Sequence, residues 1–215
     1  MLEILFISDY VCPYCLVAKE ALKQALQETG VEANITWQPY ELTVEPKPRV
    51  DTYNDASRKK KYKVLIEPCK QLGLDMKLPP NVVPRPYTRL AFEGWYFACD
   101  NGKGDEYNDR IYKAYFIDEM DIGNVEVLTS LAKGMGLDGA AFRNALENGA
   151  YTEKEKAAVA YAKSELRPKG VPTIYINGEK VSVGEYTKEE MIKILSEKVP
   201  ADEVFGFSCS EDGCN

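Results

Sequence analysis

Apolar and polar residues follow one another in different rhythms along the chain. Residues 2–7 are a short, almost unbroken apolar run, the mark of a buried strand, and Ser8-Asp9-Tyr10-Val11 reads as the loop that leaves it. From Pro13 the rhythm becomes helical: Cys15, Ala18, Leu22, Ala25 and Leu26 share one face, and Gly30 is placed to stop the helix. Pro13 suits the first helical position, because its missing N–H would have no partner there. Residues 34–40 predict a second strand, and a proline-rich connection follows over 39–48.

For about a hundred residues after that the pattern is helical. It predicts helices over 55–72, 86–99, 106–120, 125–135 and 139–147, punctuated by Gly73, Asn101-Gly102, Gly123-Asn124, Gly136 and Asn148-Gly149. Short connections between amphipathic helices predict a bundle. One more helix is expected over 152–166, with Thr152-Glu153-Lys154-Glu155 resembling a capping box. Strand signals then return over 173–176 and 180–183 around an Asn177-Gly178 hairpin turn. Thr187 caps a last helix that runs to about residue 199. The expectation is an α/β fold in which residues 1–50 and 151–199 form one domain, 51–150 an inserted all-helical one, and 200–215 a tail.

Composition narrows the partners. The chain has 215 residues and a net charge of −7, which disfavours phosphate backbones and anionic lipid, so neither nucleic acid nor a membrane is an expected partner. No apolar run reaches the ~20 residues that span a bilayer. The N-terminus reads directly as a strand, without the basic and apolar regions of a signal peptide, so a cytoplasmic location is expected. Histidine is absent altogether. That removes imidazole acid–base chemistry and leaves six cysteines as the obvious reactive groups.

Cys12-Pro13-Tyr14-Cys15 carries the strongest signal. Cys12 is expected at the mouth of the first helix, where unpaired N–H groups and the positive dipole end favour a thiolate, and Cys15 lies one turn in. That spacing lets Cys15 resolve a mixed disulfide formed on Cys12, so Cys12 is read as the more exposed, attacking thiol and Cys15 as the buried, resolving one. Pro13 holds the turn, and Tyr14 is expected to line the groove beside Cys12. Half of a zinc site, or plain packing, are the bland alternatives for a C-x-x-C pair. The second signal is Gly170-Val171-Pro172-Thr173, a proline entering an apolar strand, for which an ordinary trans strand start is the simplest reading.

The order of strand, CPYC helix, strand, long helical insertion, GVPTIYING hairpin and final helix resembles the DsbA-type branch of the thioredoxin superfamily over nearly the whole chain. The resemblance implies a thioredoxin-like fold with a helical insertion. It implies that Pro172 is cis and lies against the cysteines, and that Val171 offers backbone hydrogen bonds to an extended substrate strand. Within that branch the chain is most similar to FrnE-like proteins, which carry a C-x4-C pair near the C-terminus, matched by Cys209 and Cys214. A redox relay between the two pairs is the expectation drawn from that match, with a local disulfide, idle thiols or a shared four-cysteine zinc site as alternatives. No cofactor is expected. Protein or peptide disulfides are the expected substrates, with glutathione or a thioredoxin-type reductant as candidate electron donors. Members of the branch that act as glutathione-dependent isomerases or transferases usually lack the cysteine pair, and they form the alternative reading.

The remaining features read as structure. Cys69 and Cys99 are expected to be buried as small hydrophobes. Trp95-Tyr96-Phe97 and the Tyr112, Tyr115, Phe116 cluster read as core, with a few of them and Tyr87 as candidates for the substrate groove. The basic run Arg58-Lys59-Lys60-Lys61 reads as a solvated helix face.

Overall fold

Four strands and nine helices make up residues 1–199, the part of the chain that the computed structural model describes. β1 (Leu2–Ser8) is followed by α1 (Pro13–Thr29) and β2 (Ala33–Pro39), with β1 and β2 parallel, as a strand–helix–strand unit requires. β3 (Thr173–Ile176) lies antiparallel to β1 and turns back into β4 (Glu179–Val181), giving the order β2-β1-β3-β4. α9 (Lys188–Ser196) closes the unit and packs on α1. Gly30 ends α1 at φ 66°, where an L side chain would be strained, and donates its N–H to the Leu26 carbonyl.

The apolar positions of β1 split by period two. Leu2, Ile4 and Phe6 face one way, into a core shared with Val17, Leu22 and Met191. Part of the helical stretch belongs to this same core: Leu65, Cys69 and Leu72 pack into it. The remaining helices build a second core. α4 (Arg89–Asp100), α5 (Gly104–Phe116), α6 (Val125–Gly134) and α7 (Gly139–Glu147) bury Phe92, Tyr107, Tyr112 and Phe142, among others. The front of α1 joins them, because Tyr10, Val11, Cys12, Cys15 and Leu16 belong to this second core.

Gly94 marks how close that packing is. A Cβ on it would run into the Tyr107 hydroxyl and stand 2.7 Å from Phe142 Cζ, and both rings are fully buried. Gly94→Ala is therefore expected to cost about 1–3 kcal/mol despite its better helix propensity, read from urea melts. An unchanged midpoint would mean that these rings move aside freely.

Several expected elements are shorter than the sequence pattern suggested. The single helix over 55–72 is instead α2 (Ala56–Tyr62), a tight turn at Lys63–Leu65 and α3 (Ile66–Gln71). Pro68 cannot donate to the helical ladder, and the restart puts it in the first turn of α3, where no donor is needed. The helix expected from 86 begins at Arg89, and the one expected over 106–120 is Gly104–Phe116, its chain turning at Glu119 with φ 54°. α8 (Thr152–Tyr161) gives way to a wider π turn over Ala162–Leu166, ending at Arg167 with φ 44°. The capping box expected there is absent: Tyr151 occupies the cap, and the Thr152 hydroxyl donates to Glu93 at 2.9 Å instead.

That bond belongs to an unusual cluster. Glu41 beyond β2, Glu93 on α4 and Glu155 on α8 are all buried. Glu93 is paired with Arg89 at 2.5 Å, but both carboxylate oxygens of Glu155 and one each of Glu41 and Glu93 have no hydrogen-bond partner. Burial, and next the neighbouring Glu41 and Glu93, push the Glu155 carboxyl up to about 8. Burial, and next Asp9, push Glu41 up to about 7.

Candidate functional site

The chain enters the site at the end of β1. Asp9, Tyr10 and Val11 form a turn in which the Cys12 N–H donates to the Asp9 carbonyl at 3.0 Å. Cys12 is extended (φ −96°, ψ 114°) at the N-cap of α1, and Pro13 is its first residue. Opposite, β3 pairs Thr173 with Ile7, which carries Val171 and Pro172 to the loop that leads into Cys12. The Val171–Pro172 bond is cis, and Cys12 Sγ lies 3.4 Å from the Val171 carbonyl oxygen. The structure thus brings Cys12, Cys15, Val171 and Pro172 together from the two ends of the chain.

The contrast in exposure between the two cysteines is small. Cys12 is 5% exposed and Cys15 0%, because the Val171–Pro172 loop covers the first and the helical core encloses the second. Their environments differ more than their exposure. Burial, and next a hydrogen bond with Cys12, push the Cys15 thiol well above its ordinary range. Cys12 opens onto a cavity of about 290 Å³ that Tyr14, Leu42, Arg58, Lys61 and Arg85 also line. Tyr14 is fixed there by its hydroxyl, which donates to the Lys61 carbonyl at 3.2 Å, and by its ring against Tyr186.

Two residues that the sequence pattern did not single out complete the site. Asp9 is fully buried and accepts from the N–H groups of Leu42 at 2.7 Å and Val11 at 3.4 Å. Burial raises its carboxyl, against the pull of Leu42 N–H and Arg85. Arg85 is only 6% exposed; it donates to Thr43 Oγ1 at 2.7 Å, and its Nε has no partner. A Ser-Asp pair after a strand looks like turn chemistry, so Asp9 gave no sign of being enclosed. Arg85 sits in a proline-rich stretch without periodicity, which hid its burial.

Other candidates fall elsewhere. Tyr87 does not line the Cys12 cavity, and it donates its hydroxyl to the Lys47 carbonyl at 2.5 Å. Tyr112, Tyr115 and Phe116 are core, although the Tyr112 hydroxyl reaches the Asp9 carbonyl at 3.5 Å. Cys69 is buried, whereas Cys99 is exposed, near the C-terminal end of α4 where the apolar face has run out. Arg58 and Lys61 are not merely a solvated face, since both line the Cys12 cavity. A larger cavity of about 460 Å³ between α1, β2 and α5 contains no cysteine. Among the described residues no cluster of three or more Cys, Asp or Glu side chains is arranged to hold a metal ion, and no helix is long and apolar enough to cross a membrane. Cys209 and Cys214 lie outside the described residues.

Residues 3–193 match the DSBA-like thioredoxin domain family. The chain belongs to that family. The Bacillus subtilis (strain 168) protein YwbO, itself uncharacterised, is 40% identical over 192 residues, covering 89% of this chain and 94% of YwbO. Among solved structures, a probable DsbA oxidoreductase from Streptomyces coelicolor superposes with a TM-score of 0.75 at 22% identity, covering 100% of this chain and 99% of that one. A 2-hydroxychromene-2-carboxylate isomerase superposes with a TM-score of 0.70 at 17% identity, covering 91% and 93%. At these identities the two structures establish the shared fold, a thioredoxin-like α/β domain carrying helices between β2 and β3.

Proposed function

We propose that this DsbA-family protein is a thiol–disulfide oxidoreductase that reduces or isomerises protein disulfides through Cys12 and Cys15. The observation that carries the reading is the position of Cys12 Sγ, against the Val171 carbonyl and at the wall of a cavity, with Cys15 fully buried one helical turn on. Cys12 sulfur attacks one sulfur of the substrate disulfide, and the other leaves as a thiolate. Cys15 then gives up its proton and attacks Cys12 sulfur, which releases the second substrate thiolate and leaves a Cys12–Cys15 disulfide. The substrate gains two electrons, and a dithiol or glutathione restores them to the protein. Pro13 and Tyr14 shape the groove, and the Val171-Pro172 backbone holds the extended substrate strand.

We infer that Asp9 takes the Cys15 proton, because it is a buried carboxylate whose charge acts on Cys15 and the chain has no histidine. A carboxyl raised by burial is a stronger base than an ordinary aspartate as long as it is ionised. Asp9→Asn is expected to slow release of a preformed mixed disulfide by about tenfold near neutral pH and to remove a pH step from that rate. Stopped-flow thiol release measures it, and an unchanged profile would assign Asp9 a packing role alone.

The reading as a whole is tested by insulin reduction and by reactivation of scrambled ribonuclease, with glutathione or a thioredoxin system as donor. Activity in either assay is expected; inactivity in both, with Cys12 open to alkylation, overturns it. A FrnE-like relay through Cys209 and Cys214 and a reducing, cytoplasmic setting extend the same proposal. Unchanged turnover and potential in Cys209→Ser and Cys214→Ser would remove the relay. The likeness to an isomerase keeps a glutathione-dependent isomerase or transferase as the second reading. Activity on a small aromatic substrate that survives loss of Cys15 would favour it.

A further inference from the structure

The cavity beside Cys12 is lined by three cations against the single carboxylate of Asp55, a positive excess in a protein whose net charge is −7. Arg58 and Lys61 on α2 and Arg85 from the loop before α4 converge on it from two separate stretches of chain. Arg58 is shared with Asp55 at 3.1 Å, and among the described residues no carboxylate lies within ion-pair distance of Lys61 or Arg85, although the buried Asp9 attracts Arg85 from farther off. Cations in the last turn of α2 complement its dipole, which is reason enough for Lys59, Lys60 and Lys61 as a group. That reason does not extend to Arg85. A guanidinium 6% exposed, with a side-chain bond to Thr43 and an unpartnered Nε, is costly unless an acceptor reaches its free donors.

We propose that this cavity is an anion subsite that receives a carboxylate of the substrate, so that the protein selects disulfides with an acidic group beside the reacting sulfur. The inference rests on the oxidoreductase reading and adds a substrate class to it. A volume of about 290 Å³ sits just under the ~300–1,000 Å³ of drug-sized ligand sites, and it fits one acidic side chain or the end of a small anionic thiol. With Cys12 in its wall, a carboxylate held by Arg85 and Lys61 brings the adjoining sulfur to Cys12. Guanidinium is suited to this task because its planar fork matches a carboxylate.

The test is single-turnover and steady-state reduction of matched peptide disulfides flanked by glutamate, glutamine or lysine, with glutathione disulfide as a fourth substrate. The expected kcat/KM for the acidic peptide exceeds that for the lysine peptide by about tenfold at low salt, and the gap narrows as ionic strength rises. Lys61→Gln and Arg58→Gln are expected to draw the acidic-to-neutral ratio towards one, and Lys61→Glu to favour the lysine peptide. This reversal is a readout that structural damage does not produce, and it spares the buried Arg85. Preference for the acidic peptide assigns the carboxylate to a protein side chain; preference for glutathione disulfide alone assigns it to a small thiol, and both support the subsite. Equal turnover of all four substrates overturns the subsite and leaves the oxidoreductase standing. No turnover of any overturns the oxidoreductase reading and the subsite with it.

Discussion

Cys12→Ser is expected to lower disulfide reduction by at least about a thousandfold, and Cys15→Ser to stop the reaction with the substrate still attached to Cys12. The two outcomes differ because the two sulfurs meet different surroundings. Cys12 lines the cavity with the Val171 carbonyl 3.4 Å from its sulfur, so in the proposed mechanism it is the sulfur that an incoming disulfide reaches first. A serine hydroxyl there cannot form the exchange intermediate. Cys15 is fully buried in the helical core and does not line the cavity. Its loss leaves the first step intact and removes the intramolecular attack that frees the substrate. Mass spectrometry of acid-quenched reactions should show a covalent adduct in Cys15→Ser and none in Cys12→Ser. An adduct on Cys99, the exposed thiol among the described residues, in place of Cys12 would overturn the assignment.

The second large effect is on stability and depends on pH. Glu155 and Glu41 have raised folded-state pKa values, about 8 and about 7, against an ordinary carboxyl value of 4.5. A raised acid binds its proton more tightly in the folded chain than in the unfolded one. Its stabilising effect is therefore whole below the unfolded value and is lost as pH rises through the window from about 4.5 to about 8. The wild-type protein is expected to weaken steadily across that window. Glu155→Gln, which keeps the shape and never ionises, should flatten the decline and be more stable than wild type by about 3 kcal/mol at pH 8.5, with little difference at pH 5. Urea melts at the two pH values decide the matter. A flat wild-type profile, or a glutamine variant weaker at pH 8.5, would mean that water or Arg89 neutralises the cluster.

The parts of the fold with strong periodicity were legible in the sequence. α1 from Pro13 to its stop at Gly30, α7, and the β3 strand are where the pattern placed them. Elements failed at their ends, where one residue changes the local geometry: Pro68 split a helix, and Arg167 ended another after a π turn. The cysteine motif could be placed at a helix mouth from its own residues. What faces it could not, because Leu42, Arg58, Lys61 and Arg85 come from segments whose arrangement is set by tertiary packing. Burial of Asp9, Glu93 and Glu155 was illegible for the same reason. An acid in a sequence carries no mark of what will cover it.

One structural fact bears on how such a protein can be remade. The first turn of α1 belongs to the helical core, while the rest of the helix belongs to the core under the sheet. A minimal redox module made by deleting the residues between β2 and β3 would strip one side of Cys15 and leave Tyr10, Val11 and Leu16 facing water. The cysteine pair and the helical body are thus a single inheritance: transplanting one without the other moves the sulfurs but not the surroundings that set their order of reaction.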